Sequence, residues 1–395
     1  MSGMDSVRRG FSRREFSRRI GQAFAFALAG PELLRGAARD AAARKEVARS
    51  ANDAAGGGAI RLNYNESPYG PSPKAREAFA VCGQAAERYP DKTYREMRDA
   101  LAGLHGVTRE NIMLGCGSTE ILRVADAAFL APGKNLVAAE PTFEAVLEYA
   151  RVTKAQGVKI PLTADFRHDL PRMAAACTSK TGMVYVCNPN NPTGTIVTRE
   201  ELGAFFERVP PTTLILVDEA YHHLVDDPAY ASALDWHGKY PNVVVARTFS
   251  KVYGMAGMRL GYAVGAKETI AAMEAYSTQD NGNVAVLAAV LASLADQPHV
   301  IETQNKLIAS RQWMNAELTK DHRRFIASQG NFLMIDMGTD VKPLIAAFKE
   351  RDILVGRRFA SMPNFMRVTI GTQAEMEAFL AALRAIAPAS AAKAA

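Results

Sequence analysis

The sequence predicts an α/β fold: a large domain on an open, mostly parallel sheet, followed by a smaller α+β domain. Three observations predict it. Short apolar runs at 112–114, 136–139, 183–187, 214–217 and 243–246 have the continuous character of strands buried on both faces. Helical patterns separate these runs, and each run ends in polar or glycine-rich residues. That is where open α/β sheets bind their ligands. Past Gly282 the pattern changes to long amphipathic helices at 284–296 and 302–320, and then to strand-like runs at 332–336 and 366–370.

The 395 residues exceed the size at which one hydrophobic core stops growing. Four segments are expected: a leader and flexible linker at 1–59, an N-terminal segment at 60–84, the large domain at 85–285 and the small domain at 286–395. The net charge of +6 lies entirely in residues 1–50, which hold eleven Lys/Arg against five acids. The remaining body is neutral, which argues against a nucleic-acid binder. Within the leader, Arg13-Arg14 precedes a short apolar run at 20–29 and an Ala/Gly-rich tract. This resembles a twin-arginine export signal and implies a periplasmic or exported protein; the alternative is a basic arm on a cytoplasmic one. No segment approaches a membrane span, so stable membrane insertion is not expected. Cys82, Cys116, Cys177 and Cys187 form no C-x-x-C pair and read as free thiols, with a Cys177–Cys187 pairing left open by the sequence, and no metal site is expected.

The elements carry chemistry in order. An amphipathic helix is expected at 94–104. The strand at 112–114 runs into Gly115-Cys116-Gly117-Ser118-Thr119-Glu120 with a helical pattern beyond, a geometry that aims free backbone N–H groups at an anion. Ser118 and Thr119 are its side-chain donors. The strand at 214–217 delivers Asp218, a costly place for a carboxylate without a cationic partner. After 243–246 comes Thr248-Phe249-Ser250-Lys251, with Arg259 eight positions on. A lysine at the buried end of a strand has a lowered pKa and suits Schiff-base formation with an aldehyde. Thr248, Ser250 and Arg259 suit a dianionic phosphate. An aldehyde plus a phosphate describes pyridoxal 5'-phosphate (PLP), and a protonated pyridine nitrogen would partner Asp218.

Eight motifs stand in register from about residue 60 onward. They are Leu62-Asn63-Tyr64-Asn65-Glu66-Ser67-Pro68, Arg88-Tyr89-Pro90, Gly115–Glu120 above, Glu140-Pro141-Thr142-Phe143, Asn188-Pro189-Asn190-Asn191-Pro192-Thr193-Gly194, Asp218-Glu219-Ala220-Tyr221, the lysine stretch, and Met366-Arg367-Val368-Thr369-Ile370-Gly371. Their order resembles the fold-type I PLP-dependent aminotransferases, especially the histidinol-phosphate aminotransferase branch. The resemblance implies an aspartate aminotransferase-like large domain of the seven-stranded type, with the N-terminal segment packed on the small domain.

It also implies roles. Lys251 holds the cofactor and shuttles a proton. Phe143 stacks on the pyridine ring, and Asn191 and Tyr221 reach its phenolic oxygen. Tyr89 reaches the phosphate of a neighbouring subunit in a homodimer with shared sites. Arg367 takes the substrate carboxylate, and Tyr64 or Asn65 could touch substrate or form an ordinary entry turn. The implied activity is ping-pong transfer of an amino group between an L-amino acid, or a histidinol-phosphate-like amine, and a 2-oxo acid. Alternatives on the same scaffold are a PLP-dependent decarboxylase or lyase, or a non-catalytic binding protein. One departure stands out: histidinol-phosphate enzymes tend to carry an arginine where this chain has Gly356, with Arg357 and Arg358 following.

Overall fold

The computed structural model describes residues 58–388. The twin-arginine segment read above as an export signal lies outside the described residues. Residues from Ala59 onward form one compact unit.

The central sheet has seven strands in the order β2-β8-β7-β6-β5-β3-β4. They are β2 (Ile112–Gly115), β3 (Asn135–Glu140), β4 (Gln156–Pro161), β5 (Thr181–Cys187), β6 (Leu214–Asp218), β7 (Val243–Thr248) and β8 (Gly261–Gly265). All neighbours pair in parallel except at β8, which runs antiparallel to both β7 and β2. Successive side chains alternate between the two faces. Met183, Tyr185, Cys187, Leu214 and Leu216 enter one core layer, and Val184, Val186, Ile215 and Val217 enter the opposite one. Both faces are covered, which is why these strands read as unbroken apolar runs.

Strands β4 and β8 carry no such run. β4 is an edge strand whose sequence alternates exposed and partly buried residues, and Gly261 and Gly265 bracket β8. Gly261 is required by contact: a Cβ there would lie 2.3 Å from Ser118 N.

The first two helices of the described residues, α1 (Pro73–Cys82) and α2 (Asp91–His105), pack with α8 (Val284–Leu294) against β2 and β8. Asn283 caps α8 by accepting from Ala285 N and Val286 N. The helix expected at 302–320 starts earlier, as α9 (Gln297–Lys320), because Pro298 sits in its first turn, where a missing N–H costs nothing. Among the described residues no single helix is long and apolar enough to cross a membrane.

A separate three-stranded antiparallel sheet, β12-β10-β9, follows: β9 (Phe325–Ile326), β10 (Phe332–Asp336) and β12 (Phe365–Thr369). The N-terminal β1 (Ile60–Leu62) pairs in parallel with β11 (Ile353–Val355). Leu62 packs in the same core as Phe332, Val355 and Val368, so the N-terminal segment joins this smaller assembly. The last helix, α11 (Gln373–Ile386), begins with a reciprocal cap between Thr372 and Glu375.

Candidate active site

A cavity of about 690 Å³ opens beyond the carboxyl ends of β2, β3, β5, β6 and β7, closed on its far side by β11, β12 and the N-terminal segment. Every residue given a cofactor or substrate role above lines it, except Tyr89. Tyr89 is 79% exposed and lies outside the cavity of its own chain.

One end is built for an anion. β2 turns through Cys116-Gly117 into α3 (Ser118–Phe129), whose first N–H groups have no partner within the helix. Gly117 has φ +73°, and a Cβ there would sit 2.3 Å from Arg259 Nη2. The glycine thus lets the guanidinium reach the helix terminus. Arg259 donates to Ser250 Oγ at 3.4 Å and to Ala256 O at 2.8 Å, and Thr248 Oγ1 donates to Ser250 Oγ at 2.9 Å. Two hydroxyls, one arginine and a helix N-terminus make a phosphate cup.

At the middle lies Lys251. Its Nζ donates to Asn65 O at 2.9 Å and sits 5.2 Å from the Tyr221 ring centroid. Burial, reinforced by the Arg367 charge, lowers its pKa from 10.5 to about 8, a value suited to nucleophilic and proton-transfer work.

Asp218, at the end of β6, has its pKa raised from 3.8 to about 6 by burial. Two hydrogen bonds oppose that rise: Tyr185 OH donates to Oδ2 at 2.9 Å and Ala220 N to Oδ1 at 3.1 Å. A buried, half-satisfied carboxylate facing a cavity fits a protonated ring nitrogen.

The third region joins three segments. Tyr221 OH accepts from Asn65 Nδ2 at 3.1 Å and from Asn191 Nδ2 at 3.5 Å. Asn191 Oδ1 accepts from Arg367 Nη1 at 2.8 Å, and Arg367 Nη2 donates to Asn63 O at 2.9 Å. Arg367 is 9% exposed and lines the cavity, and each Nη uses one N–H on these partners, so a second N–H on each remains for a carboxylate. Asn65 is 1% exposed, and its Oδ1 accepts from Thr369 Oγ1. Its side chain thus ties β12 to Tyr221, while Tyr64, 67% exposed, is the residue of the pair open to a ligand.

Sequence reasoning passed over three contributors. Tyr185 reads as one apolar member of a strand, yet the period of two places it on the Asp218 face. Asn190 accepts from Thr142 Oγ1 at 2.8 Å and donates to Pro141 O at 3.1 Å, fastening the loop that carries Phe143 to the asparagine-proline loop. Glu144, at the cavity mouth, pairs with Arg357.

A lysine of lowered pKa, a buried aspartate and a phosphate cup around one cavity define a PLP-dependent enzyme. The family model "Aminotransferase class I and II" matches residues 58–383, and the chain belongs to this family of aminotransferases. It is 36% identical over 330 residues to the histidinol-phosphate aminotransferase of Moorella thermoacetica, covering 83% of this chain and 85% of that protein. It is 38% identical over 324 residues to the aromatic amino acid aminotransferase of Rhodococcus jostii, covering 82% and 89%. The crystal structure of histidinol-phosphate aminotransferase from Sinorhizobium meliloti in complex with pyridoxal-5'-phosphate aligns at a TM-score of 0.78 with 27% identity, covering 96% of this chain and 98% of that one.

Proposed function

We propose that this aminotransferase takes its amino group from an L-amino acid with an uncharged, aromatic side chain and passes it to a 2-oxo acid. The observation that carries this reading is Gly356. A Cβ there would lie 2.7 Å from Arg367 O and 3.0 Å from Arg367 Cβ, so the slot has no room for an arginine. The next residue, Arg357, is paired with Glu144 and lies 4.3 Å from the Phe359 ring centroid. A substrate thus meets one buried arginine for its carboxylate, and Tyr64, Phe143 and Phe359 along the same cavity. The likeness to an aromatic amino acid aminotransferase agrees with this.

PLP, when bound, supplies the carbonyl that accepts the amino group and the electron sink that stabilises a carbanion. The chain does the rest. Ser118, Thr119, Thr248, Ser250 and Arg259 would hold the phosphate, Asp218 the ring nitrogen, and Asn191 and Tyr221 the phenolic oxygen. Lys251 Nζ, once released from the cofactor, would take the proton from the substrate α-carbon and return it to the carbon that was the cofactor's aldehyde. Arg367 fixes the carboxylate so that this proton faces the lysine.

The reading extends to assembly and location. The exposed Tyr89 would complete the phosphate cup of a second copy in a homodimer, and the twin-arginine leader would direct export of the folded, cofactor-loaded protein. The direct test mixes the yellow holoprotein with single amino donors and follows loss of the lysine-bound cofactor absorbance, with Lys251→Ala as control. Phenylalanine or tyrosine should react at least about tenfold faster than glutamate or histidinol phosphate, releasing a 2-oxo acid. The reading fails if either anionic donor is fastest.

A further inference from the structure

We propose that Glu144 determines specificity by holding Arg357 away from anionic substrate side chains. The inference rests on the aminotransferase reading above, with Arg367 on the substrate carboxylate. Glu144 follows the ring-stacking Phe143 on one wall of the cavity, and Arg357 follows the closed Gly356 slot on the other. Their side chains meet across the mouth, Arg357 Nη2 donating to Glu144 Oε2. Phe359, 3% exposed, has two guanidiniums close to its ring: Arg357 at 4.3 Å from its centroid and Arg367 at 5.3 Å. The pair and the carboxylate-binding arginine therefore share a contact with one aromatic ring. Burial lowers the pKa of Arg367, with the Arg357 charge adding to that and Glu144 opposing it.

The consequence follows from charge counting. With Glu144 present, Arg357 presents no net positive charge to a substrate, and a distal carboxylate or phosphate meets a neutral pair. The ion pair is half exposed, 55% at Arg357 and 51% at Glu144, so it contributes little to folding. Its effect lies in sorting side chains. The position a phosphate-gripping arginine would occupy is shut by Arg367, and the arginine that remains is neutralised by Glu144.

The test measures binding without turnover. Calorimetric titration of the PLP-loaded protein uses two unreactive acids: 3-phenylpropionate for an aromatic side chain and glutarate for an anionic one. The wild type should bind phenylpropionate more tightly. Glu144→Gln should tighten glutarate about tenfold and shift the preference toward it, and Glu144→Ala should act the same way. Glu144→Gln combined with Arg357→Gln should lose that gain. The proposal is overturned if glutarate binds the single variants no more tightly than wild type, or if the gain survives in the double variant. It is also overturned if wild type binds the two acids equally. Because these affinities need no chemistry, a protein that transaminates no aromatic donor yet shows them would defeat the donor reading and leave the role of Glu144 standing.

Discussion

Replacing Asp126 by asparagine tests the energetics of the core that supports the phosphate cup. Asp126 lies on α3, whose N-terminus forms that cup, and is fully buried with both carboxylate oxygens unpartnered. Burial raises its pKa from 3.8 to about 8. The folded state therefore keeps the proton while the unfolded chain loses it above pH 3.8. Stability from this group is intact below the unfolded value, falls as pH rises through 3.8 to 8, and levels off above. At 1.36 kcal/mol per unit, wild type should lose roughly 4 kcal/mol between pH 5 and pH 8 from Asp126 alone. The asparagine variant titrates nothing there. At pH 5 the two proteins should differ by under about 1 kcal/mol, and at pH 8 the variant should be the more stable. Denaturant unfolding of both holoproteins at the two pH values gives the double difference, in which all other titrating groups cancel. A double difference near zero would mean that Asp126 ionises in the fold, and the reasoning would be wrong.

Other outcomes follow from single contacts. Tyr185→Phe removes the hydroxyl that donates to Asp218; losing a bond to a charged group costs about 1.5–3 kcal/mol, so the half-reaction rate should fall roughly 10- to 100-fold with cofactor retained, measured by stopped-flow absorbance. The same loss should raise the Asp218 pKa further above about 6, moving the acid limb of the pH–rate profile upward. Gly117→Ala puts a Cβ onto Arg259 in a backbone with φ +73°; cofactor affinity should fall at least about tenfold in PLP titrations of the apoprotein. Arg247→Met strands Glu219, which is fully buried and held by Arg247 and Ser232; unfolding should be easier by about 3–5 kcal/mol, with part of the loss recovered by adding Glu219→Gln.

The sequence by itself determined most of the sheet, because a strand buried on both faces must be continuously apolar, and β2, β3, β5, β6 and β7 each hold such a run. It also determined which residues ring the cavity, since Asp218 follows directly on such a run and Ser118 and Lys251 come within a few residues of one. β4 and β8 escaped that logic: β4 alternates exposed and partly buried residues at its edge, and the glycine-bracketed antiparallel β8 has its partners set by neighbours distant in the chain. What only the tertiary structure decided are the contacts between segments far apart in sequence. Tyr185 turns toward Asp218 because the pleat puts them on one face, 33 residues apart. Asn65 reaches Tyr221 and Thr369 across 156 and 304 residues. Gly356 is closed by Arg367, and Arg357 is claimed by Glu144 from 213 residues away. Local periodicity carries the hydrophobic burial that builds a strand, but a polar side chain's partner is whatever the folded chain brings within hydrogen-bonding distance.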